Sequence, residues 1–240
     1  MDNSDDVVLI MSTSTPDTIK LVDSWKCLGF GKTEVIYYDK IRVSVPDIER
    51  INPRMIVMIS AHNASFSPSL DTLKAMKSIS PLVQILSDGG DPPWHSETMR
   101  WRDGFTTIVN IDGCPNWPSR SQDLTLLTPI DIRYYADADG DQCPKRNISI
   151  GFGGGIGHGR RGATMQYLID RGILKHRGHS PIQVYKGFTG VAASYKEYAD
   201  FLRSCQIVIS NSMTANQLAH VKGRVLEAGL AGACLFEDKN

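Results

Sequence analysis

Short, almost unbroken apolar runs recur along this chain, each followed by a stretch with helical character. The runs at 7–11, 55–60, 82–86 and 206–210 do not alternate apolar with polar residues. A strand buried on both faces has that pattern, and parallel sheets covered by helices bury both faces. Further strand-like runs lie at 34–38, 106–110, 147–152, 182–185 and 233–236. Helices are expected at 17–28, 46–51, 68–78 (with Pro68 in the first turn), 161–173 and 194–204, where Ser194 and Glu197 stand at capping-box spacing. Strands alternating with helices imply βαβ units, hence an α/β fold with parallel sheets.

With 240 residues the chain has room for two modest domains. The reading divides it into an N-terminal domain over 1–130, a hinge over 131–146 and a second domain over 147–240. The hinge follows from the extended 124–135 stretch and the polar, Pro-ended segment to Pro144. The formal net charge is zero, which argues against nucleic acid as the main partner, because neutralising phosphates needs a basic surface. No apolar run reaches the roughly twenty residues of a membrane span. The cysteines at 27, 114, 143, 205 and 234 form no CxxC pair, so neither a zinc site nor a disulfide framework is expected; reduced thiols suit a cytoplasmic protein.

The C-terminal stretch carries the strongest chemical signal. Val221, Val225 and Ala228 recur with helical spacing, Gly232 stands where a C-cap glycine would, and 233–236 reads as an interior strand. His220, Arg224 and Glu227 share a second helix face. A cation and a carboxylate so placed suit a nucleoside diphosphate and its ribose; equally, Arg224 and Glu227 fit an i,i+3 ion pair on a solvated helix.

The pattern Lys222-Gly-Arg224-Val-x-Glu227-Ala-x-x-Ala-Gly-Ala, followed by an apolar strand and an acidic residue, resembles the C-terminal half of GT-B glycosyltransferases. It is most similar to the group containing the spore-maturation, CgeB-like proteins. The Pro-x-Asp-x-x-x-Tyr segment at Pro129 extends the likeness to the domain junction. The resemblance implies two Rossmann-like domains, with Glu227 holding the donor ribose and Arg224 and Lys222 the diphosphate. Group-1 retaining enzymes carry a second glutamate where this chain has Ala219, so the stereochemical course is open. The resemblance also implies further strands and a closing helix after 240, so the second domain reads as incomplete.

A glycine-rich loop, Phe152-Gly-Gly-Gly-Ile-Gly-His-Gly-Arg-Arg-Gly162, lies between an expected strand and helix. Gly154 and Gly155 would let backbone N–H groups approach a phosphate, with Arg160 and Arg161 adding cationic contacts. The run is neither a dinucleotide fingerprint, since Ile156 occupies the third glycine position, nor a Walker A loop, since no Gly-Lys-Ser/Thr occurs.

In the first half, His62 follows the third strand and Asp88 the fourth, both at strand C-terminal ends, where open α/β sheets bind ligands. Histidine ordinarily titrates near neutral pH, so His62 suits a general base, a contact to the donor sugar, or simply a partly exposed loop position; Asp88 suits orienting an acceptor hydroxyl, or an Asx-turn. The functional expectation is transfer of a sugar from a nucleotide-sugar donor to an unidentified acceptor, with no metal and no cofactor. The alternative is a catalytically inactive module of the same fold that binds nucleotide-sugars or glycans.

Overall fold

The computed structural model describes residues 7–14, 16–27, 31–60, 66–87, 94–111, 119–135, 145–156, 159–177, 194–212, 221 and 223–237. The chain forms two compact units, Met1–Leu127 and Thr128–Asn240.

In the first unit the elements run β1 (Val7–Ser12), α1 (Pro16–Cys27), β2 (Lys32–Tyr37), α2 (Val45–Ile51), β3 (Met55–Ser60), α3 (Leu70–Ile79), β4 (Leu82–Leu86), α4 (Trp94–Trp101), β5 (Thr107–Asn110) and β6 (Leu124–Thr125). They build a parallel six-stranded sheet in the order β2-β1-β3-β4-β5-β6. The uninterrupted apolar runs are explained by two cores. Leu9, Met11, Ile56, Met58, Leu82 and Leu86 meet Ile48 of α2 and Leu73 and Met76 of α3 on one face. Val8, Ile10, Val57 and Ile59 meet Val22 of α1 on the other. Burying each such side chain contributes about 1.5–3 kcal/mol.

Caps fix the helix limits. The Ser44 hydroxyl accepts from the Asp47 N–H at the start of α2. At α3 the cap is Ser69, which accepts from the Thr72 N–H at 3.1 Å; Pro68 therefore stands just ahead of the helix, not in its first turn.

The second unit runs β7 (Ile148–Gly153), α5 (Gly159–Asp170), β8 (Lys175–Arg177), α6 (Tyr195–Ser204), β9 (Cys205–Ser210), α7 (Gly223–Leu230) and β10 (Cys234–Glu237). Its sheet is also parallel, in the order β10-β9-β7-β8. Among the described residues, the first four strands of each unit, taken in chain order, thus have the same spatial order. The capping box of α6 forms as its spacing predicts, with the Ser194 N–H donating to Glu197 at 2.8 Å. Gly232 adopts φ +65° beyond α7 and lets the chain turn back into β10.

The strand expected at 182–185 lies outside the described residues, and β8 was not anticipated. Two further expectations change. Thr128 opens the second unit, and Ile130, Tyr134 and Tyr135 pack into its α6/α7 core. The start of the expected hinge is therefore core. In α7 the buried residues are Glu227 and Ala228, whereas Val221 is 37% exposed. The inward face is rotated from the expected Val221–Val225 stripe toward the carboxylate.

Arg146 ties the base of this sheet together, donating to the Cys205 carbonyl at 2.6 Å and to the Ala231 carbonyl at 2.8 Å. Among the described residues, no helix is long and apolar enough to cross a membrane.

Candidate functional site

The strand order of the second sheet reverses beside β7: β8 lies on one side of it and β9 on the other. In open parallel sheets such a reversal splays the loops leaving the strand C-terminal ends and opens a crevice between them. Here the loops follow Gly153 of β7 and Ser210 of β9.

The glycines of β7 are first a packing device. A Cβ on Gly151 would lie 2.3 Å from Cys205 Sγ, and one on Gly153 2.3 Å from a ring carbon of Tyr198. Their absence lets α6 press onto the sheet. Burial pushes the Cys205 thiol up to about 11, so it stays a neutral packing group. Gly154 serves the crevice itself. Its φ is +136°, and a Cβ there would lie 2.2 Å from Arg224 Nη2, so the guanidinium rests where a side chain would stand. At Gly155 an added methyl meets no atom within 4 Å.

Arg224, in the first turn of α7, reaches across the end of β7. Its Nε–H donates to the Gly153 carbonyl at 2.6 Å, and its Cζ stands 4.5 Å from the centre of the Phe152 ring. The hydrogen bond and the cation–π contact fix the guanidinium plane. Nη1 is buried and has no hydrogen-bond partner among the described residues. A buried guanidinium N–H without an acceptor is costly, so an anion at this point would be well received.

Glu227, one turn further along α7, points elsewhere. It is 4% exposed, and its two oxygens accept from Tyr195 OH at 2.8 Å and Tyr198 OH at 3.0 Å. Tyr135 OH lies 3.3 Å from Tyr195 OH and extends the network. Burial, reinforced by the negative Glu227, holds all three tyrosines well above the usual phenol range, so they remain protonated donors. No ion pair joins Arg224 to Glu227 among the described residues, so the two do not form the solvated i,i+3 pair their spacing allows. Glu227→Gln, which turns one acceptor into a donor facing a tyrosine, is expected to destabilise the second unit by about 1–3 kcal/mol. Thermal denaturation measures that loss; unchanged stability would remove Glu227 from this structural role.

Further polar groups gather at the same sheet edge. Ser210, which ends β9, and Asn211 and Ser212 just after it are 0%, 6% and 3% exposed. Arg161 of α5 approaches the Asn211 carbonyl at 3.5 Å. The Ser212 N–H donates to Glu237 Oε1 of β10 at 2.9 Å. Like Arg224 Nη1, the Ser210 and Ser212 hydroxyls and Glu237 Oε2 are buried without a hydrogen-bond partner among the described residues.

Of the residues singled out in the sequence, Gly154, Gly155 and Arg224 thus come together at one strand end. Arg160 stands in the first turn of α5. Glu227 is turned into the core. His62, Asp88 and Lys222 lie outside the described residues. Ser210, Ser212 and Glu237 were not anticipated as site residues; the only signal was a Ser-Asn-Ser run directly after an apolar strand and a carboxylate ending the next. Among the described residues, no group of three or more His, Cys, Asp or Glu is placed to hold a metal ion.

Compared with known proteins, the chain matches no family model, and no curated protein matches it.

Proposed function

We propose that this chain is a GT-B-type glycosyltransferase built from two Rossmann-like domains, with the second unit holding a nucleoside-diphosphate sugar. The single observation that carries this reading is Arg224: its guanidinium is seated on Gly154 at the end of β7, with Nη1 buried and without a partner among the described residues. In this reading Arg224, Lys222, Arg160 and the backbone at Gly154–Gly155 take up the charge of the departing diphosphate. The acceptor hydroxyl attacks the anomeric carbon, the bond from that carbon to the diphosphate oxygen breaks, and the proton of the hydroxyl passes to a general base, for which the sequence offers His62 and Asp88. Fixed positioning of donor and acceptor supplies the rest.

The second reading, a module that binds nucleotide-sugars or glycans without turnover, is favoured by one feature. The helix carboxylate that the GT-B resemblance assigns to the ribose is engaged by Tyr195 and Tyr198.

Titration with UDP, GDP, ADP and TDP tests both. At least one is expected to bind the wild-type chain and to bind Arg224→Ala roughly tenfold more weakly or worse, about 1.4 kcal/mol. Sugar release from the matching nucleotide-sugar then separates enzyme from module. A folded chain that binds none of the four would overturn the enzyme reading and the nucleotide-sugar form of the module.

A further inference from the structure

The buried polar atoms at the end of the second sheet do not all suit an anion. Arg224 Nη1 donates only. Ser210 and Ser212 offer hydroxyls, which donate or accept. Glu237 offers Oε2, which when ionised only accepts. Oε1 of the same carboxylate is held at 2.9 Å by the Ser212 N–H, so its position is set from the backbone. Oε2 is buried and has no partner among the described residues. A carboxylate oxygen removed from water without a donor is costly, and the donor that would relieve it must come from outside the described residues.

The sheet register places these groups in a row. Gly151 stands opposite Val208, and continuing that register by two residues sets Gly153 of β7 level with Ser210; Ser210 in turn pairs with Glu237. With strands about 4.8 Å apart, Glu237 stands two strand spacings, about 10 Å, from the β7 end on which Arg224 lies. One ligand can span that row if it is anionic at one end and carries hydroxyl donors at the other.

We infer that Glu237, with the Ser210 and Ser212 hydroxyls, accepts hydroxyl groups of the moiety esterified to the anion at Arg224. The ligand class is therefore a polyhydroxylated phosphate or diphosphate ester, and Glu237, rather than Glu227, is the carboxylate that reads its hydroxyls. This rests on the anion site proposed above. It goes further by making the hydroxyl-bearing part a determinant of affinity. The hydroxyls are those of a ribose or of a transferred sugar, and both present the same donors to Oε2.

The test is a calorimetric titration of the full chain with inorganic pyrophosphate, the nucleoside diphosphate that binds best, its 2′,3′-dideoxy analogue and the corresponding nucleotide-sugar. The wild type is expected to bind the nucleoside diphosphate or the nucleotide-sugar at least tenfold more tightly than pyrophosphate. Glu237→Gln keeps the acceptor facing Ser212 but presents an amide N–H₂ where Oε2 was. It is expected to lose that tenfold advantage while binding pyrophosphate as the wild type does; Arg224→Ala weakens every ligand. A loss with the dideoxy analogue assigns the contact to the ribose. Full affinity for the analogue, with the advantage confined to the nucleotide-sugar, assigns it to the sugar. The analogue arm uses unmutated protein, so it stands even if Glu237→Gln fails to fold. Equal affinity of wild type and Glu237→Gln for every hydroxylated ligand overturns the role of Glu237 and leaves the anion site intact. Failure of pyrophosphate and of every nucleotide to bind the wild type overturns both.

Discussion

Replacing Asp123 with alanine is expected to cost the first unit about 3–5 kcal/mol, because it strips a buried carboxylate from two arginines at once. The Asp123 side chain is fully buried, and those of Arg120 and Arg102 are only 19% and 15% exposed. Arg120 grips the carboxylate through Nη2 at 2.8 Å and through Nε, Arg102 approaches at 3.4 Å, and the Ile108 N–H of β5 donates at 3.0 Å. Alanine takes the carboxylate from two largely buried guanidiniums, leaving Arg120 its bonds to the Arg102 and Phe105 carbonyls, and takes the acceptor from a buried strand N–H. The pH dependence follows from the same contacts. Burial pushes the Asp123 carboxyl up, but the Arg120 hydrogen bonds and the Arg120 and Ile108 N–H groups outweigh it and hold the group below its ordinary value of 3.8. A carboxyl with a depressed folded value stabilises the fold above its unfolded value and loses that contribution as pH falls through the folded one. The gap between wild type and Asp123→Ala in urea denaturation should therefore be full at pH 7 and should narrow below about pH 4. A gap under about 1 kcal/mol at pH 7, or one that widens in acid, would show that the cluster does not hold β5 in place.

This cluster also shows where the sequence stops being readable. β1, β3 and β4 are legible because residues buried on both faces leave unbroken apolar runs, and the cores around Leu9 and Val8 are those two faces. The turn from α7 through Gly232 into β10 is legible because a left-handed C-cap demands glycine. β8 is not: Lys175, His176 and Arg177 give no apolar period, and the strand exists through its pairing with β7. β6 is a two-residue edge strand, too short to leave a pattern.

The site divides in the same way. Arg224 could be singled out from its helix spacing and family likeness, but the direction taken by Glu227 could not. Its partners Tyr195 and Tyr198 sit about thirty residues earlier, on another helix, and only tertiary packing brings them to α7. Ser210, Ser212 and Glu237 converge through the register of β9 and β10, which no local window of sequence contains.

The largest loss of binding is expected from Gly154→Ala, a change that adds one methyl group and removes no polar atom. Alanine at φ +136° is strained by about 1–3 kcal/mol, and its Cβ would stand 2.2 Å from Arg224 Nη2. The guanidinium cannot keep both its 2.6 Å bond to the Gly153 carbonyl and its seat over Phe152 with a methyl in that space. Gly154→Ala should therefore weaken nucleoside-diphosphate binding at least as much as Arg224→Ala, roughly tenfold or more. Because both changes act through one guanidinium, the double variant should bind no more weakly than the poorer single one. Additive losses in that cycle, or near wild-type affinity in a folded Gly154→Ala protein, would mean that the seat on Gly154 is not what positions the cation. Arg224→Lys completes the test. Lysine keeps the charge but lacks the planar fork that bonds Gly153 on one side while presenting Nη1 on the other. If charge alone held the ligand, lysine would restore binding. If the oriented fork holds it, Arg224→Lys should remain close to Arg224→Ala, and the glycine at 154 is then present to give that fork its place.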